Sequence, residues 1–406
     1  MPAGRDLRTA RAVAVVGLSV VVWSLVQVLV VRPPLTDLWV YRAEGAALLA
    51  GDDLYGPLAG VHGVSTYPPF AALLFVPAAL VPTTVLAAAS VLGNLALLLV
   101  VSWQSVRLAG CGRAGTAPAA CVLSAVALWS EPVLMSLSYG QVNLLVLALV
   151  LWDLNQRPGS ALRGAGIGIA ASIKVTPGIF IVYLLLTGRV RAAATAAGTF
   201  VAAAAVSALV DGGATWRYWT RHLFDLDRVG RLENSANQSV RGWLVRAHHT
   251  RDALPSEALL VLAVLVVGLV CAVLAERRLG DRWGGLAAGV TGLLVSPVSW
   301  SHHWVFCVPV VALLWFQARA WVVPALAVFW SYAVWAVPHG HSVELALDGW
   351  QVALSGPYVV LGLGFLALTA SRARSRPDQT ATDGRAGPTT SVGLAGSCES
   401  PAIPSV

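Results

Sequence analysis

Residues Gly164 to Leu186 read GAGIGIAASIKVTPGIFIVYLLL, an apolar stretch that contains one charged residue, Lys174. It is the only lysine in the 406 residues of the chain. An ammonium group at a bilayer centre costs roughly 3 kcal/mol, so Lys174 needs a partner. Because Pro177 interrupts helical hydrogen bonding, the stretch predicts two half-helices with Lys174 at their junction, suited to an anion. An ion pair between Lys174 and a buried acid such as Glu131 is the alternative.

The composition is typical of a membrane protein. Hydrophobic residues make up 57% of the chain, charged residues 12%, and the mean hydropathy is +0.72, which excludes a soluble globular domain. The net charge of +7 comes from arginines spread over short connectors, so nucleic-acid binding is not expected. The cysteines form no CxxC pair, and neither a zinc site nor a disulfide framework is predicted.

Apolar segments predict an all-α polytopic fold with about ten to twelve membrane helices. The segments span residues 12–31, 68–82, 84–106, 116–134, 139–155, 163–187, 190–210, 256–276, 283–298, 302–317, 321–337 and 350–370. Two of them, 68–82 and 163–187, are broken by prolines and are predicted to be re-entrant half-helices. Residues 1–370 would form the transmembrane domain. Residues 371–406, rich in Gly, Pro, Ser and Thr, are predicted to be a disordered cytoplasmic tail.

Arginine positions predict which connectors face the cytoplasm. Arginines cluster at the N-terminus and at positions 107 and 113, 157 and 163, 189 and 191, 277 to 282, 319 and 372 to 376. The first apolar segment is longer than a signal-peptide core and is predicted to be a retained anchor. The segments predicted to face outward are the loops 32–67, 211–255 and 338–349 and the turns 131–141 and 296–303. Lys174 then points into one extracytoplasmic cavity.

Asp37 follows the first helix in the motif TDLWVY, residues 36–41. A carboxylate at a cavity mouth, partly desolvated by Trp39 and Tyr41, is suited to accept a proton from an attacking hydroxyl. The two aromatic residues are expected at headgroup level on an interfacial helix. A solvated acid is the alternative for Asp37. Glu44, Asp52 and Asp53 are rival carboxylates, which are expected instead to form a solvated helix face and turn.

Further polar motifs lie at the predicted outer turns and loops. They contribute Tyr67 in YPPF, Glu131 in EP, Tyr139, Gln141 and Asn143 in YGQVN, Asn237, Gln238 and Arg241 in NQSVRGW, and Trp300, His302 and His303 in SPVSWSHHW. Amides, carboxylates and phenols suit a sugar, although they equally serve as helix caps. Arg241 and the two histidines are expected to bind an anion together with Lys174. Adjacent histidines on a helix point about 100° apart, so no metal site is predicted.

One candidate base facing a cluster of cationic groups suits the displacement of a phosphate leaving group. A glycosidase would need a second carboxyl as general acid, whereas phosphate leaves unaided. The chain has no Gly-rich phosphate loop, which disfavours a nucleotide donor.

Taken together, the motifs between Asp37 and Trp304 resemble glycosyltransferase family 87, the GT-C-type mannosyltransferases of actinobacteria that use polyprenyl phosphate mannose. The motifs are DLWVY, TYPPFAA, EP, YGQVN, KVTP, NQSVRG and SPVSWSHHW. The resemblance implies a GT-C fold and an inverting α-1,2 transfer of mannose to a phosphatidylinositol mannoside or lipoglycan acceptor. It places the reaction on the periplasmic face of the plasma membrane, with Asp37 as base and with no nucleotide, metal or other cofactor.

Two other classes of protein remain as alternatives. A secondary transporter or lipid-sugar flippase also uses broken helices and buried charges, but its coupling groups lie near the bilayer midplane between inverted repeats. No internal repeat is visible here, and the polar motifs favour the outer side. A non-catalytic envelope scaffold would leave Lys174 unexplained.

Overall fold

The computed structural model describes residues 3–26, 33–61, 63–252 and 254–375. Within these ranges the chain forms helices and no β-strand, and the all-α prediction is confirmed there. The α-helices, in order, are α1 Ala3–Val26, α2 Thr36–Ala50, α3 Pro69–Leu80, α4 Thr83–Leu108, α5 Arg113–Ala127, α6 Glu131–Tyr139, α7 Asn143–Leu154, α8 Ala165–Ile173, α9 Ile179–Leu186, α10 Val190–Val210, α11 Gly212–Thr220, α12 Leu226–Val229, α13 Val240–His248, α14 Pro255–Leu279, α15 Asp281–Val295, α16 Cys307–Gln317, α17 Val322–Trp330, α18 Gly349–Leu354 and α19 Pro357–Arg374. Short 3₁₀ helices span Thr176–Gly178, His222–Phe224, Ser301–Phe306, Arg319–Trp321, Ala333–Trp335 and Val343–Ala346.

Three of the described helices, α4, α10 and α14, are long and apolar enough to cross a bilayer. Each has at least 21 residues, and 20 residues in a helix reach about 30 Å. Helices α5 and α6 would make a fourth span if the bent pair counts as one. The protein is therefore a membrane protein.

The predicted break at Lys174 is confirmed. Helix α8 ends at Ile173, and Lys174 has an extended backbone with φ −148° and ψ 127°. Pro177 lacks an N–H to donate, and the chain turns through a 3₁₀ helix before α9 begins. Lys174 therefore projects from a gap between two short helices, where its side chain can meet residues from other parts of the chain.

The predicted turn at residues 131–141 is instead helical over most of its length. Helix α6 begins at Glu131 and is bent by 77° from α5. It ends at Tyr139, and the next residue, Gly140, has a φ of +71° that favours glycine. A Cβ atom on Gly140 would lie 2.7 Å from the Cβ of Leu38, so this glycine also lets α2 approach α6 closely. The bend thus brings the start of α2 beside the YGQVN motif.

The C-terminal region differs from the prediction at two points. The segment 350–370 is divided at Ser355 and Gly356 into α18 and α19. A Cβ on Gly356 would lie 2.7 Å from the indole of Trp243, so the chain passes close to α13 here. The tail boundary at residue 371 is wrong, because α19 continues to Arg374. The rest of the predicted tail, and residues 27–31 of the predicted first segment, lie outside the described residues.

Arginines from several predicted cytoplasmic connectors meet at one end of the helix bundle. Arg163, before α8, and Arg189, before α10, both pair with Asp281 at the start of α15. Arg372 near the end of α19 donates to the carbonyl of Gln317 at the end of α16. Helix ends far apart in sequence are therefore joined by ion pairs and hydrogen bonds at this end.

Candidate active site

Asp37 lies at the start of α2 and is half-buried. Its Oδ2 accepts a hydrogen bond from Nε2 of Gln141 at 2.7 Å. The Oε1 of Gln141 lies 2.9 Å from the hydroxyl of Tyr41 and 3.0 Å from that of Tyr67, and the two hydroxyls are 3.0 Å apart. Asp37 and Tyr41 share a face of α2 because they are four residues apart. The side chain of Tyr41 is buried in this network, so it contacts protein groups and is not exposed to lipid headgroups.

The surroundings of Asp37 make its carboxylate a stronger base. Burial raises the pKa of Asp37, while the hydrogen bond from Gln141 and the positive charge of Lys174 act in the opposite direction without cancelling it. A carboxylate with a raised pKa takes a proton from a hydroxyl more readily than a solvated one.

Lys174 is held by neutral groups. Its Nζ donates to Oδ1 of Asn143 at 2.9 Å and lies 2.8 Å from Nε2 of His303. It also lies 5.4 Å from the ring centroid of Tyr67, which links it to the Asp37 network. The alternative ion pair between Lys174 and Glu131 is absent, and no described carboxylate lies within ion-pairing distance of the ammonium group. The ammonium group has three N–H donors and two of these partners, so one N–H remains to bind an anion.

Glu131 fixes the segment that carries the histidines. Its side chain is fully buried and accepts hydrogen bonds from Ser301 Oγ at 2.7 Å, Trp335 Nε1 at 2.9 Å and Tyr358 OH at 2.6 Å. Ser301 immediately precedes His302. The predicted role of Glu131 as a sugar contact is therefore corrected, because its oxygens are already bonded to protein groups.

Asn237 and Gln238 form a second tie to the same segment. Both side chains are fully buried. The Oδ1 of Asn237 accepts from the backbone N–H of Ser299 at 3.0 Å, and the backbone N–H of Gln238 donates to the Ser299 carbonyl at 2.7 Å. The amide group of Gln238 donates to the carbonyls of Ser235 and Ser355, both at 2.7 Å. These two predicted sugar contacts also support the loop instead of facing a ligand.

Among the remaining predicted residues, the two histidines and Tyr139 contact one another, whereas Arg241 bonds to none of the other predicted site residues. The rings of His302 and His303 are 4.8 Å apart and nearly perpendicular, and His302 also meets the ring of Tyr139 edge-on at 5.3 Å. The buried Nε2 of His302 has no hydrogen-bond partner among the described residues. Trp300 is half-buried two residues earlier. Arg241 is half-buried on α13 and forms no hydrogen bond or ion pair with the other predicted site residues in the described chain.

An apolar cavity of about 40 Å³ lies next to Lys174. Its polar end is formed by Asn143, Lys174, Thr176 and His303, and its other walls are apolar. The apolar side chains include Val146, Leu147, Ile179, Phe180, Leu293 and Phe306. A ligand with an anionic group attached to a hydrocarbon chain would match both ends. The described residues contain no group of three or more His, Cys, Asp or Glu side chains that could hold a metal ion.

One important support residue, Arg246, could not be predicted from its local sequence. Arg246 on α13 is fully buried and donates to the carbonyls of Asn234 at 2.9 Å, Asn237 at 3.0 Å and Ser355 at 3.0 Å. It thereby holds the loop before α13 against the junction of α18 and α19. An arginine in an outward loop would ordinarily be solvated, and its local sequence carries no signal for this role.

The model of glycosyltransferase family 87 matches residues 66–297, more than half of the chain. The chain belongs to glycosyltransferase family 87. The resemblance inferred from the motifs is therefore confirmed, and this family 87 protein is a glycosyltransferase. No solved structure matches it.

Several curated relatives of this family 87 protein have assigned activities. A polyprenol-phosphate-mannose-dependent alpha-(1-2)-phosphatidylinositol pentamannoside mannosyltransferase of Mycobacterium tuberculosis is 34% identical over 85% of this chain and 84% of its own length. A protein of the same description from Mycolicibacterium smegmatis is 39% identical over 61% of this chain and 60% of its own length. A phosphatidylinositol mannoside mannosyltransferase of Mycolicibacterium smegmatis is 31% identical over 80% of each chain.

Proposed function

We propose that this protein transfers a mannosyl residue from polyprenyl phosphate mannose to a phosphatidylinositol mannoside or lipoglycan acceptor. The linkage formed is α-1,2, the anomeric configuration is inverted, and the reaction occurs on the extracytoplasmic face of the plasma membrane. One observation carries the proposal. A carboxylate, Asp37, and a cationic group, Lys174 with His303, lie in two hydrogen-bonded groups that meet where Lys174 contacts the ring of Tyr67, and the second group borders an apolar cavity.

The donor is held at the end of the site formed by Lys174. Its phosphate accepts hydrogen bonds from Lys174 and from the histidine pair, and the first part of its polyprenyl chain occupies the apolar cavity. As the bond between the sugar and the phosphate breaks, negative charge grows on the phosphate. A preorganised cation at this point stabilises that charge, and no acid is needed to protonate the leaving group.

Asp37 acts on the acceptor. Its carboxylate accepts the proton of the acceptor hydroxyl as that oxygen forms a bond to the anomeric carbon. Attack on the face opposite to the departing phosphate inverts the configuration at that carbon, so a β-linked donor yields an α-linked product. The raised pKa of Asp37 favours this proton transfer.

The distribution of charges supports a multi-pass topology with the site facing outward. The arginine-rich helix ends meet around Asp281, which fits a cytoplasmic end under the positive-inside rule. The site lies at other helix ends, at the starts of α2 and α7 and at the break after α8. A GT-C fold with re-entrant half-helices at residues 68–82 and 163–187 agrees with this arrangement. The names of the curated relatives favour the transferase over a transporter or flippase.

The substitution Asp37→Asn tests the proposal, because it keeps the shape of the side chain and removes the base. In membranes supplied with polyprenyl phosphate mannose and a phosphatidylinositol mannoside, we expect transfer to fall by at least about 100-fold. The matched control is Asp52→Asn, which neutralises an exposed carboxylate in the same outward loop and should leave the rate unchanged. Undiminished transfer by Asp37→Asn would reject the mechanism.

A further inference from the structure

A second cavity lies apart from the cluster of Asp37, Lys174 and His303. It has a volume of about 370 Å³, within the range of small-molecule sites. Two segments that are predicted to face outward form its walls. The lining residues are Arg231, Glu233, Asn234, Gly340, His341, Ser342 and Glu344.

The walls of this second cavity are held in place by charged hydrogen bonds. Glu233 is fully buried and accepts from Arg251 Nε at 2.9 Å and from Ser342 Oγ at 2.9 Å. Nη1 of Arg231 donates to Ser342 Oγ at 2.7 Å from the opposite wall. The loop backbone is constrained as well, since His341 and Ser342 have φ values of 54° and 66°. Such conformations are costly for residues other than glycine and persist where the surroundings enforce them.

The charges around the cavity balance. Arg231 and Arg251 face Glu233 and Glu344, so no net charge is available to attract a phosphate or a cation. The described acids and histidines also form no group of three that could hold a metal. The exposed imidazole of His341 nevertheless remains free to donate and accept hydrogen bonds, because it has no hydrogen-bond partner among the described residues. A neutral ligand that both donates and accepts hydrogen bonds, such as a chain of sugar residues, fits this lining.

The second cavity adjoins the loop that carries the histidines. Leu232 and Leu345, each next to a lining residue, pack in one apolar cluster with Trp300. The ring of Trp300 lies against Gly230, where a Cβ would be 3.0 Å from the ring, and its carbonyl accepts from the N–H of His303 at 2.8 Å. Trp300 therefore connects the residues next to the second cavity with His303 of the Lys174 site.

We infer that this second cavity is a distal sugar subsite, which binds mannosyl residues of the acceptor that lie away from the attacking hydroxyl. The inference rests on the proposed function, since it assigns the acceptor to the same outward face. Acceptors with several mannosyl residues reach the second cavity, whereas an acceptor with one residue does not. The subsite therefore selects acceptors by the length of their glycan.

The variants Arg231→Met and His341→Asn test the inference. Arg231→Met removes a charged donor from the lining, and His341→Asn replaces the imidazole by a shorter amide that tolerates the left-handed backbone at residue 341. With phosphatidylinositol tetramannoside as acceptor, KM should rise about tenfold more than with phosphatidylinositol monomannoside, while KM for the donor stays constant. Arg221→Met, at an exposed arginine in the same outward loop that does not line the cavity, should leave both acceptor KM values unchanged.

Equal increases in KM for both acceptors, or a change in the donor KM, would overturn the inference. If the wild-type protein transfers mannose to neither acceptor, the proposed function fails, and direct binding then decides on the subsite. Free mannotetraose is added to the purified full-length protein and its contacts are read by saturation-transfer NMR. Binding that Arg231→Met abolishes supports the subsite, and the absence of binding to the wild type rejects it.

Discussion

At the scale of single residues, Lys174 is a cation whose hydrogen-bond partners are neutral groups. Its ammonium group contacts the amide oxygen of Asn143 and the imidazole of His303. A cation that leaves bulk water without a counter-ion loses several kcal/mol of solvation. Burial of this charge therefore destabilises the folded protein, and the binding of an anionic ligand offsets part of the lost solvation free energy.

Replacing Lys174 by methionine separates binding from stability. We expect Lys174→Met to lower kcat/KM for polyprenyl phosphate mannose by about 100-fold or more and to raise Tm, because an unpaired charge is removed from the interior. Lys174→Arg retains the charge and should keep part of the activity. Steady-state kinetics and thermal unfolding in detergent give both quantities. A lower Tm combined with equal losses for donor and acceptor would make Lys174 a structural residue.

Glu44 is a second unusual residue, on the same helix as Asp37. Its side chain is fully buried, and neither oxygen accepts a hydrogen bond of good geometry, although the Ser65 hydroxyl is near enough to influence it. Burial raises the pKa of Glu44 to about 8. The folded protein therefore keeps a proton that the unfolded chain releases above its ordinary pKa of 4.5. The prediction of Glu44 as a member of a solvated helix face is wrong.

This raised pKa predicts how stability depends on pH. Between about pH 4.5 and 8 the folded state binds more protons at Glu44, so the free energy of unfolding falls as pH rises and levels off above pH 8. Glu44→Gln removes this titration, so the total fall in the free energy of unfolding over this pH range should be smaller by a few kcal/mol. Thermal unfolding at a series of pH values measures the slope. Asp52→Asn, at an exposed carboxylate, should retain the wild-type slope; the same slope in Glu44→Gln would contradict the assignment.

At the scale of elements, the 3₁₀ helix Ser301–Phe306 depends on residues far away in sequence. Glu131 at the start of α6 binds Ser301 and also Tyr358 of α19, which is 227 residues distant. Asn143 at the start of α7 donates to the carbonyl of His302 at 2.9 Å. The position of the histidines is thus set by three other elements.

Removing Glu131 should misplace this 3₁₀ helix. Glu131→Ala leaves three buried donors unsatisfied, each costing about 1 to 3 kcal/mol, and we expect kcat to fall by more than tenfold together with a lower Tm. Tyr358→Phe removes one donor and should give a smaller loss of the same kind. Glu257→Gln alters a buried carboxylate bound to His248 instead, so it should lower Tm with little change in kcat. Full activity in Glu131→Ala would show that the histidines keep their place without it.

The local sequence predicted some elements and missed others for identifiable reasons. The break at Lys174 was predictable, because Pro177 cannot complete the helical hydrogen bonds. The sharp bend before α6 was not, since Glu131-Pro132 is equally compatible with a turn and with the first turn of a helix. The division at Gly356 depends on the close approach of Trp243 from another helix, which local patterns do not encode.

At the scale of the whole molecule, the motifs identified the family and most of the groups that meet near Lys174. Motif spacing could not distinguish residues that face the cavity from residues that support it. Glu131, Asn237 and Gln238 have the right chemistry for a sugar, but their partners are protein groups brought in by the fold. Conversely, Arg246 gave no signal because its partners are backbone carbonyls of distant loops.

At this scale, the distribution of charged residues predicts how the protein is oriented in the membrane. If the arginine-rich end around Asp281 is cytoplasmic, the site and the loop with Asp52 face outward. In intact cells, a membrane-impermeant maleimide should label Asp52→Cys, whereas Arg157→Cys, exposed at the arginine-rich connector before α8, should react after permeabilisation alone. Labelling of the unsubstituted chain, with its five native cysteines, gives the background. The opposite pattern would place the carboxylate and the donor phosphate on the cytoplasmic side, where a nucleotide sugar becomes the expected donor, and the proposed reaction would have to be abandoned.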